Sequence, residues 1–170
     1  DYSLYIPYEG TTKMQEYLNR PDVKAAIPDS LMIVFTAHPE FGGDPTNRKI
    51  GAYGLYVVSA DASLTGEYVT DAMEDLDPQT GRPMVRMEMN AEGAERWADI
   101  TGRNIKKRVA IVLDGLVYSA PTVQNKIAGG SSQITGSQDM KEAQLLKIVL
   151  KAGALKGPIK IIEERLVGPS

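Results

Sequence analysis

Arg108-Val-Ala-Ile-Val-Leu-Asp-Gly-Leu-Val-Tyr-Ser-Ala-Pro121 is the stretch of sequence that decides the fold. Two apolar runs flank the pair Asp114-Gly115, which predicts a β-hairpin because a type I′ turn needs positive φ at both central residues. A two-residue turn predicts three facing pairs: Leu113–Leu116, Ile111–Tyr118 and Val109–Ala120. Apolar residues fall on both faces of the ribbon, so we expect the hairpin inside a sheet that helices cover on at least one side.

The chain before the hairpin predicts helices and strands in no regular alternation. Residues 1–10 are either a short edge strand or a loose tail, and Thr12-x-x-Gln15 fits a capping box for a helix that begins at Thr11 or Thr12. A short helix is predicted from Pro21, followed by strands at 31–36 and 53–59 that loop 38–49 joins. Thr65-Gly66-Glu67 is predicted to open a second short helix, with Val69, Ala72 and Met73 facing inward. A turn at 77–81 and a strand at 84–89 follow.

Two helices are predicted to pack against the strands. Asn90 is the N-cap of helix 91–101, which has Trp97 on its inner stripe and ends at Gly102; helix 139–152 ends at Gly153. Short strands at 133–135 and 158–167 complete the order. Because strands and helices do not alternate regularly, the sequence predicts an α+β fold with a mostly antiparallel or mixed sheet around the central Asp-Gly hairpin.

The composition is that of an ordinary globular chain. It has 170 residues, a net charge of −3 and no cysteine, which excludes disulfides, thiolate metal sites and cysteine nucleophiles. The mild charge gives no electrostatic signal for nucleic acid, and apolar runs of about five residues are far shorter than the ~20 that span a bilayer. The chain begins without Met and stops at Gly168-Pro169-Ser170, so we interpret it as a piece of a larger protein.

Neither the histidine nor the glycine-rich segment predicts a catalytic or phosphate site. His38 is the only histidine. Glu40 and Asp44 are near it in sequence, but no other residue has metal-ligand spacing, so we interpret His38 as a loop residue. The glycines of 129–132 precede a strand and lack the Lys-Ser/Thr of a P-loop, which favours a turn.

Carboxylates are the remaining candidates for chemistry. Asp71, Glu74, Asp75 and Asp77 lack the spacing of a calcium loop, and we interpret them as the solvated end of a helix. Asp114 with Gly115 is interpreted as a structural turn rather than an active carboxylate. We therefore expect no catalytic residue, no metal site and no cofactor; a stand-alone enzyme that acts through Asp or Glu is the alternative.

An ordered set of short motifs carries a family resemblance. The set comprises Leu64-Thr65-Gly66, Gly81-Arg-Pro-Met-Val, Met89-Asn-Ala-Glu-Gly-Ala94, the run Ala-Ile-Val-Leu-Asp-Gly after Asn104, Ser119-Ala-Pro121, Ile134-Thr-Gly136, Glu142-Ala143, Ala152-Gly-Ala-Leu155 and Ile162-Glu-Glu-Arg-Leu-Val-Gly-Pro-Ser170. In this order they resemble the first large extracytoplasmic domain of SecD, or of the fused SecDF, the accessory protein of the Sec export channel. Trp97 stands where that family usually carries a smaller aromatic residue.

The resemblance implies a place and a task for the chain. It implies a domain on the periplasmic side of the bacterial inner membrane, between two transmembrane helices of a protein that uses the proton-motive force. The implied partners are SecF or a fused SecF half, the SecYEG channel and an unfolded preprotein, with no nucleic acid and no cofactor. The alternative is a structural or interaction module of the cell envelope that does not contact preproteins.

The resemblance also implies a division of the chain. Residues 1–63 would be an N-terminal extension of the same domain, 64–155 a mobile head, and 156–170 a strand that returns to the base and leads to a transmembrane helix. The outer edge of that strand is then expected to be unpaired. Candidate hinge residues are Leu64, Thr65, Gly66, Gly153, Gly157 and Pro158; the alternative for the glycines is simple helix capping and turns.

Overall fold

The computed structural model describes residues 4–42, 47, 49–61, 63–135, 137, 139–156 and 160–163. Helices and strands follow one another in this order: β1 (Leu4–Pro7), α1 (Tyr8–Leu18), α2 (Pro21–Ala26), β2 (Leu31–Thr36), β3 (Ala52–Ser59), β4 (Val69–Leu76), β5 (Pro83–Met89), α3 (Ala91–Arg103), β6 (Val109–Leu113), β7 (Leu116–Ser119), β8 (Ser131–Ile134), α4 (Met140–Lys156) and β9 (Lys160–Glu163). A single 3₁₀ turn, Gly66–Tyr68, leads into β4.

The strands described form two sheets. The larger has six strands in the order β1-β3-β2-β7-β6-β9, and the smaller has three in the order β4-β5-β8. Every pair is antiparallel except β2 with β7, which is parallel. The predicted α+β class with a mostly antiparallel, mixed sheet is confirmed.

The predicted hairpin is present in the interior of the larger sheet. Its turn residues Asp114 and Gly115 have φ of 48° and 75°, and β7 and β6 are flanked by β2 and β9. The register follows the prediction only next to the turn. An irregularity between Ile111 and Val112 places Ile111 opposite Ser119 rather than opposite Tyr118.

The register shift continues to the beginning of β6. The N–H of Val109 donates to the carbonyl of Pro121 at 3.0 Å, so the predicted pairing of Val109 with Ala120 is also wrong. One extra residue on β7 accounts for the difference, since a bulge inserts a residue into one strand without changing its partner.

Alternate residues of β6 enter two different cores. Val109 and Ile111 belong to the large core shared by the smaller sheet, α3 and α4. Ala110 and Val112 belong to a second core with residues of β2, β3 and β7. A third, smaller core lies between α1 and strands β1 to β3. The uninterrupted apolar run of β6 therefore reflects burial of both of its faces.

Strand β9 lies at the end of the larger sheet. It pairs with β6 on one side, and among the described strands it has no partner on its other side. β9 nevertheless approaches β3, from which three strands separate it in the sheet order. The sheet is therefore strongly curled.

The segment predicted as a short helix at 65–73 is mostly a strand. β4 pairs with β5 across the turn at 77–81, and a bulge lies between Val69 and Asp71. The bulge returns Val69 and Ala72 to the same face, so their three-residue spacing imitates a helical stripe. Met73, also predicted to face inward, is 44% exposed.

Three helix boundaries differ from the prediction. Helix α1 begins at Tyr8 rather than at Thr11 or Thr12, and the Thr11 hydroxyl donates to the Tyr8 carbonyl instead of capping. Gly102 and Gly153 lie inside α3 and α4 and do not end them. A glycine in a helix costs only about 1 kcal/mol relative to alanine, which favourable neighbours offset. The predicted N-cap is confirmed, because the Asn90 side chain accepts a hydrogen bond from the Gly93 N–H at 2.8 Å.

The acidic residues near β4 are not the end of a helix. Lys147 and Lys151, one turn apart on α4, pair with Glu74 and Asp71 of β4. The pKa of the Glu74 carboxyl is lowered mainly by a hydrogen bond from Lys147, and that of the Asp71 carboxyl mainly by a hydrogen bond from Lys151. These pairs help to seat α4 on the smaller sheet.

The ion pairs give a testable pH dependence. Because the carboxyl pKa is lower in the folded chain, the stabilisation is present above the unfolded pKa and is lost as pH falls through the folded pKa. We expect Lys147→Met to raise the pKa of Glu74 and to leave that of Asp77 unchanged, since Asp77 accepts its hydrogen bonds from its own turn. A carboxyl-carbon NMR titration measures both; an unchanged Glu74 pKa would show that the pair does not form in solution.

The turn residues of the hairpin also give a test. Gly115→Val should lower the free energy of unfolding by about 1–2 kcal/mol, because a β-branched residue is strained at positive φ. Asp114→Asn should change it by less than about 0.5 kcal/mol, since asparagine suits the same turn. Urea unfolding of the two variants measures the difference, and equal effects would contradict the turn assignment.

Candidate functional site

An apolar cleft lies between the smaller sheet and strand β6. Its volume is about 440 Å³, which is within the range of ligand-binding pockets. Its walls include residues from β4, β5, α3, β6, α4 and the connections between them: Leu64, Val69, Met87, Trp97, Thr101, Val109, Ile111, Val123, Ile127 and Leu150. None of the described residues that line the cleft is charged. The cleft can therefore take an uncharged, apolar group.

The free edge of β8 borders the cleft. β8 pairs with β5 from Ser131 to Ile134 and ends the order of its sheet. Residues 131–135 also line the cleft. In the part of the chain that is described, the outer backbone groups of β8 have no strand partner. An exposed strand edge beside an apolar pocket is the arrangement that binds an extended peptide as an added strand.

The opposite wall is held by a buried threonine. The Thr101 hydroxyl donates to the Trp97 carbonyl at 2.7 Å and accepts from the Ile127 N–H at 2.9 Å. Backbone hydrogen bonds also join Val123 to Lys106 and Lys107. The connection from Pro121 to Ile127 is thus fixed to α3 and to the residues that precede β6.

Trp97 contributes an unusual polar atom to this wall. Its side chain is 6% exposed, and its indole N–H finds no acceptor among the residues described. Leaving a buried donor unsatisfied costs about 1–3 kcal/mol. Trp97 therefore carries a buried hydrogen-bond donor that has no partner among the described residues.

Gly93 allows α3 to lie close to the rest of the structure. A Cβ at this position would be 2.7 Å from the Cβ of Tyr68 and 3.2 Å from its carbonyl oxygen. Above Tyr68, the Arg96 guanidinium lies 5.0 Å from the ring centroid. The close approach sets the position of the helix that carries Trp97.

Replacement of two glycines of α3 should have opposite effects. Gly93→Ala should lower the free energy of unfolding by about 1–3 kcal/mol, because the backbone and Tyr68 must move apart. Gly102→Ala meets only the flexible Lys126 side chain at 3.4 Å and should raise stability by up to about 1 kcal/mol through helix propensity. Thermal and urea unfolding of both variants measure this, and a neutral Gly93→Ala would show that α3 is loosely held.

A hydrogen-bonded cluster of Tyr56, Glu40 and Arg108 links distant parts of the larger sheet. The Tyr56 hydroxyl donates to Glu40 Oε1 at 2.6 Å and accepts from Arg108 Nη2 at 2.6 Å, and Arg108 Nε donates to the Ala120 carbonyl at 2.9 Å. Burial and then Glu40 raise the pKa of Tyr56 far above its ordinary value. Because the tyrosine stays protonated, this group serves as a structural bridge from β3 to β6. Gly54 leaves room for it, since a Cβ there would lie 2.9 Å from Glu40 Oε2.

The structure brings only part of the predicted hinge set to the cleft. Leu64, 4% exposed, and Thr65 line it. Gly66 is buried and begins the 3₁₀ turn. Gly153 lies within α4, and Gly157 and Pro158 lie outside the described residues. Their role as hinges stays a prediction.

Other predicted features lie away from the cleft. His38 follows β2 in a loop, and its ring meets Tyr118 edge-on at 5.8 Å between centroids. Asp114 and Gly115 are at the tip of the hairpin. The residues described hold no group of three or more His, Asp or Glu side chains that could bind a metal, and no helix within those residues is long and apolar enough to cross a membrane.

The cleft, the β8 edge and the unpaired indole were not predicted from the sequence. Helical periodicity placed Trp97 on the inner stripe of α3, which is correct. Periodicity cannot indicate whether a buried N–H has an acceptor, and no local pattern shows that a strand lacks a neighbour.

The chain matches the profile of a known protein family. The profile of the family described as SecDF, P1 head subdomain, matches residues 44–157.

Curated relatives agree with this match. Protein translocase subunit SecD of Rhodothermus marinus is 46% identical over 160 residues, which is 94% of this chain and 25% of the relative. Protein translocase subunit SecD of Desulfurispirillum indicum is 39% identical over 178 residues, covering all of this chain and 34% of the relative. The chain thus spans about a quarter to a third of these relatives.

A solved structure is also similar. It is that of a membrane component SecDF that enhances protein export, and it is 28% identical with a TM-score of 0.49. The similarity covers 81% of this chain and 69% of that one.

Proposed function

Because the chain belongs to the family of SecDF P1 head subdomains, we propose that it is the periplasmic domain of a Sec export accessory subunit. In this role it engages an unfolded preprotein on the outer side of the inner membrane and promotes export. The match over residues 44–157 carries the proposal. The parent protein is a membrane protein of the SecD or fused SecDF type.

The family membership also supports a proposal for the energy source and the partners. The membrane part of the parent uses the proton-motive force, and the domain moves in response. SecF or a fused SecF half and the SecYEG channel are its partners. The chain itself needs no catalytic residue for this task, since binding and conformational change suffice.

The apolar cleft and the free edge of β8 form the proposed preprotein site. An extended segment adds to β8 through backbone hydrogen bonds, which any sequence can make except at proline. Its inward side chain enters the uncharged cleft beside Met87 and Ile111. This combination supports binding of unfolded chains with low sequence selectivity.

Hinges at the two ends of the head complete the proposal. Leu64, Thr65 and Gly66 form one hinge, and Gly153, Gly157 and Pro158 form the other. Because Leu64 and Thr65 also line the cleft, a rotation at the first hinge changes the shape of the cleft. The division into residues 1–63, 64–155 and 156–170 belongs to this proposal.

Site-specific photocrosslinking in the full-length parent tests the preprotein site. A photoreactive amino acid replaces Gln133, which is exposed and lines the cleft. The matched control replaces Ile148, which is exposed on α4 away from the cleft. We expect a preprotein arrested during export to crosslink strongly at 133 and weakly at 148.

Two outcomes would contradict the proposal. Equal crosslinking at both positions would indicate nonspecific proximity. No crosslinking at either position, in cells that export normally, would favour an envelope module without preprotein contact.

A further inference from the structure

We propose that three carboxylates, those of Asp71, Glu74 and Asp75, close the β4 edge of the smaller sheet to strand addition, so that an extended chain adds to this sheet only at β8. The sheet has two outer strands, β4 and β8, and either could accept a further strand if its backbone groups were open. The inference rests on the proposed function in one respect, since it takes an extended polypeptide as the partner. It makes the three residues determinants of where that partner binds.

The direction of the backbone groups of β4 follows from the hydrogen bonds at its end. The N–H of Asp77, directly after β4, donates to the Arg82 carbonyl at 2.8 Å across the turn, and a proline, which has no N–H, stands opposite Leu76. The N–H groups of a strand point alternately to its two sides, so beyond the bulge those of odd-numbered residues face β5. The N–H groups that point to the free edge belong to Ala72, Glu74 and Leu76.

Carboxylate oxygens occupy two of these outward N–H groups directly. Asp71 Oδ1 accepts a hydrogen bond from the Ala72 N–H at 2.9 Å, and Asp75 Oδ1 accepts one from the Leu76 N–H at 2.8 Å. Ala72 is also completely buried, so its N–H is out of reach of an added strand. The edge of β4 therefore presents acceptors where an added strand needs donors.

Glu74 covers the third outward N–H, which is its own. A hydrogen bond from Lys147 and then one from the Glu74 backbone N–H lower the pKa of this carboxyl. An ionised carboxylate has only acceptors, so the carbonyl oxygens of an incoming strand would face other oxygens along β4. Pairing on this edge would therefore require the caps to break first.

A basic side chain holds each of the three carboxylates in place. The pairs are Asp71 with Lys151, Glu74 with Lys147 and Asp75 with Arg86. Both lysines belong to α4 and the arginine to β5, which are the elements that pack against β4. The caps are therefore fixed by regular secondary structure on both sides of the strand.

The β8 edge lacks such caps in the part of the chain that is described. The Met89 N–H donates to the Gly130 carbonyl at 2.8 Å, which sets the alternation along β5 and β8. By this alternation the outward groups of β8 belong to Ser131 and Gln133, and both residues are exposed. Neither of their N–H groups has a hydrogen-bond partner among the described residues. One edge of the sheet is therefore open and the other is closed.

Two double variants separate the caps from their charge. Glu74→Val with Asp75→Val removes both acceptors, whereas Glu74→Gln with Asp75→Asn removes the same two charges and keeps side-chain oxygens that can cap. We expect the Leu76 amide to exchange with solvent about three- to tenfold faster in the valine pair than in the amide pair, because one hydrogen bond is lost. Hydrogen exchange followed by proton–nitrogen NMR, corrected for intrinsic exchange rates, measures this.

The probe for strand addition is a short capped peptide in which valine and serine alternate between terminal lysines. In the unaltered chain and in the amide pair, we expect the peptide to shift the amides of Ser131–Ile134 and to leave those at positions 74 and 76 in place. In the valine pair it should shift both sets, with a second binding event in the titration.

Two results would overturn the closure of β4 by carboxylates. If the peptide shifts the β4 amides of the unaltered chain as much as those of β8, the edge is not closed. If the folded valine pair gains no shifts at positions 74 and 76, the carboxylates are not what closes it. Should the valine pair not fold, Asp75→Val makes the same test against Asp75→Asn, since the Asp75 side chain is 45% exposed.

The function on which the inference rests has a separate readout. If the peptide leaves the β8 amides of the unaltered chain unmoved, the proposed preprotein site fails. The valine pair then decides the closure of β4 alone: new shifts at positions 74 and 76 uphold it, and their absence overturns it.

Discussion

Burial of both faces of β6 is the constraint on which the rest of the structure depends. Val109 and Ile111 form part of the cleft wall, whereas Ala110 and Val112 pack with β2, β3 and β7. A polar residue at any of these positions would be buried in one core or the other. Strand β6 forms a wall of the cleft and a wall of the second core. Any displacement of β6 therefore changes the packing of that core and the shape of the cleft together.

Local signals predicted the parts of the fold that local interactions determine. The Asp114-Gly115 turn and the Asn90 cap depend on residues next to them, and both are present. The predicted register beyond Val112 is wrong, because the observed register depends on a bulge that no nearby residue requires. The sequence predicts a helix instead of the strand at 69–76 because another bulge gives Val69 and Ala72 a helical spacing on one face.

The cleft could not be predicted because its walls come from segments far apart in the sequence. Each lining residue follows an ordinary apolar pattern, and only their assembly leaves a space of this size. The uncharged lining is likewise a property of the assembled structure, since charged residues occur close by in most of these segments. The family motifs indicated the task of the chain, but they did not indicate where on its surface a partner binds.

The single parallel pairing, β2 with β7, bears on how the chain folds. It joins Thr36 to Val117, whereas the hairpins β4–β5 and β6–β7 each close over a few residues. Contacts between distant residues require closure of a long loop before they stabilise anything, and they slow folding. Strands β1, β2 and β3 pair with one another, so in a chain that emerges from its N-terminus only the parallel pairing of β2 must wait for β7.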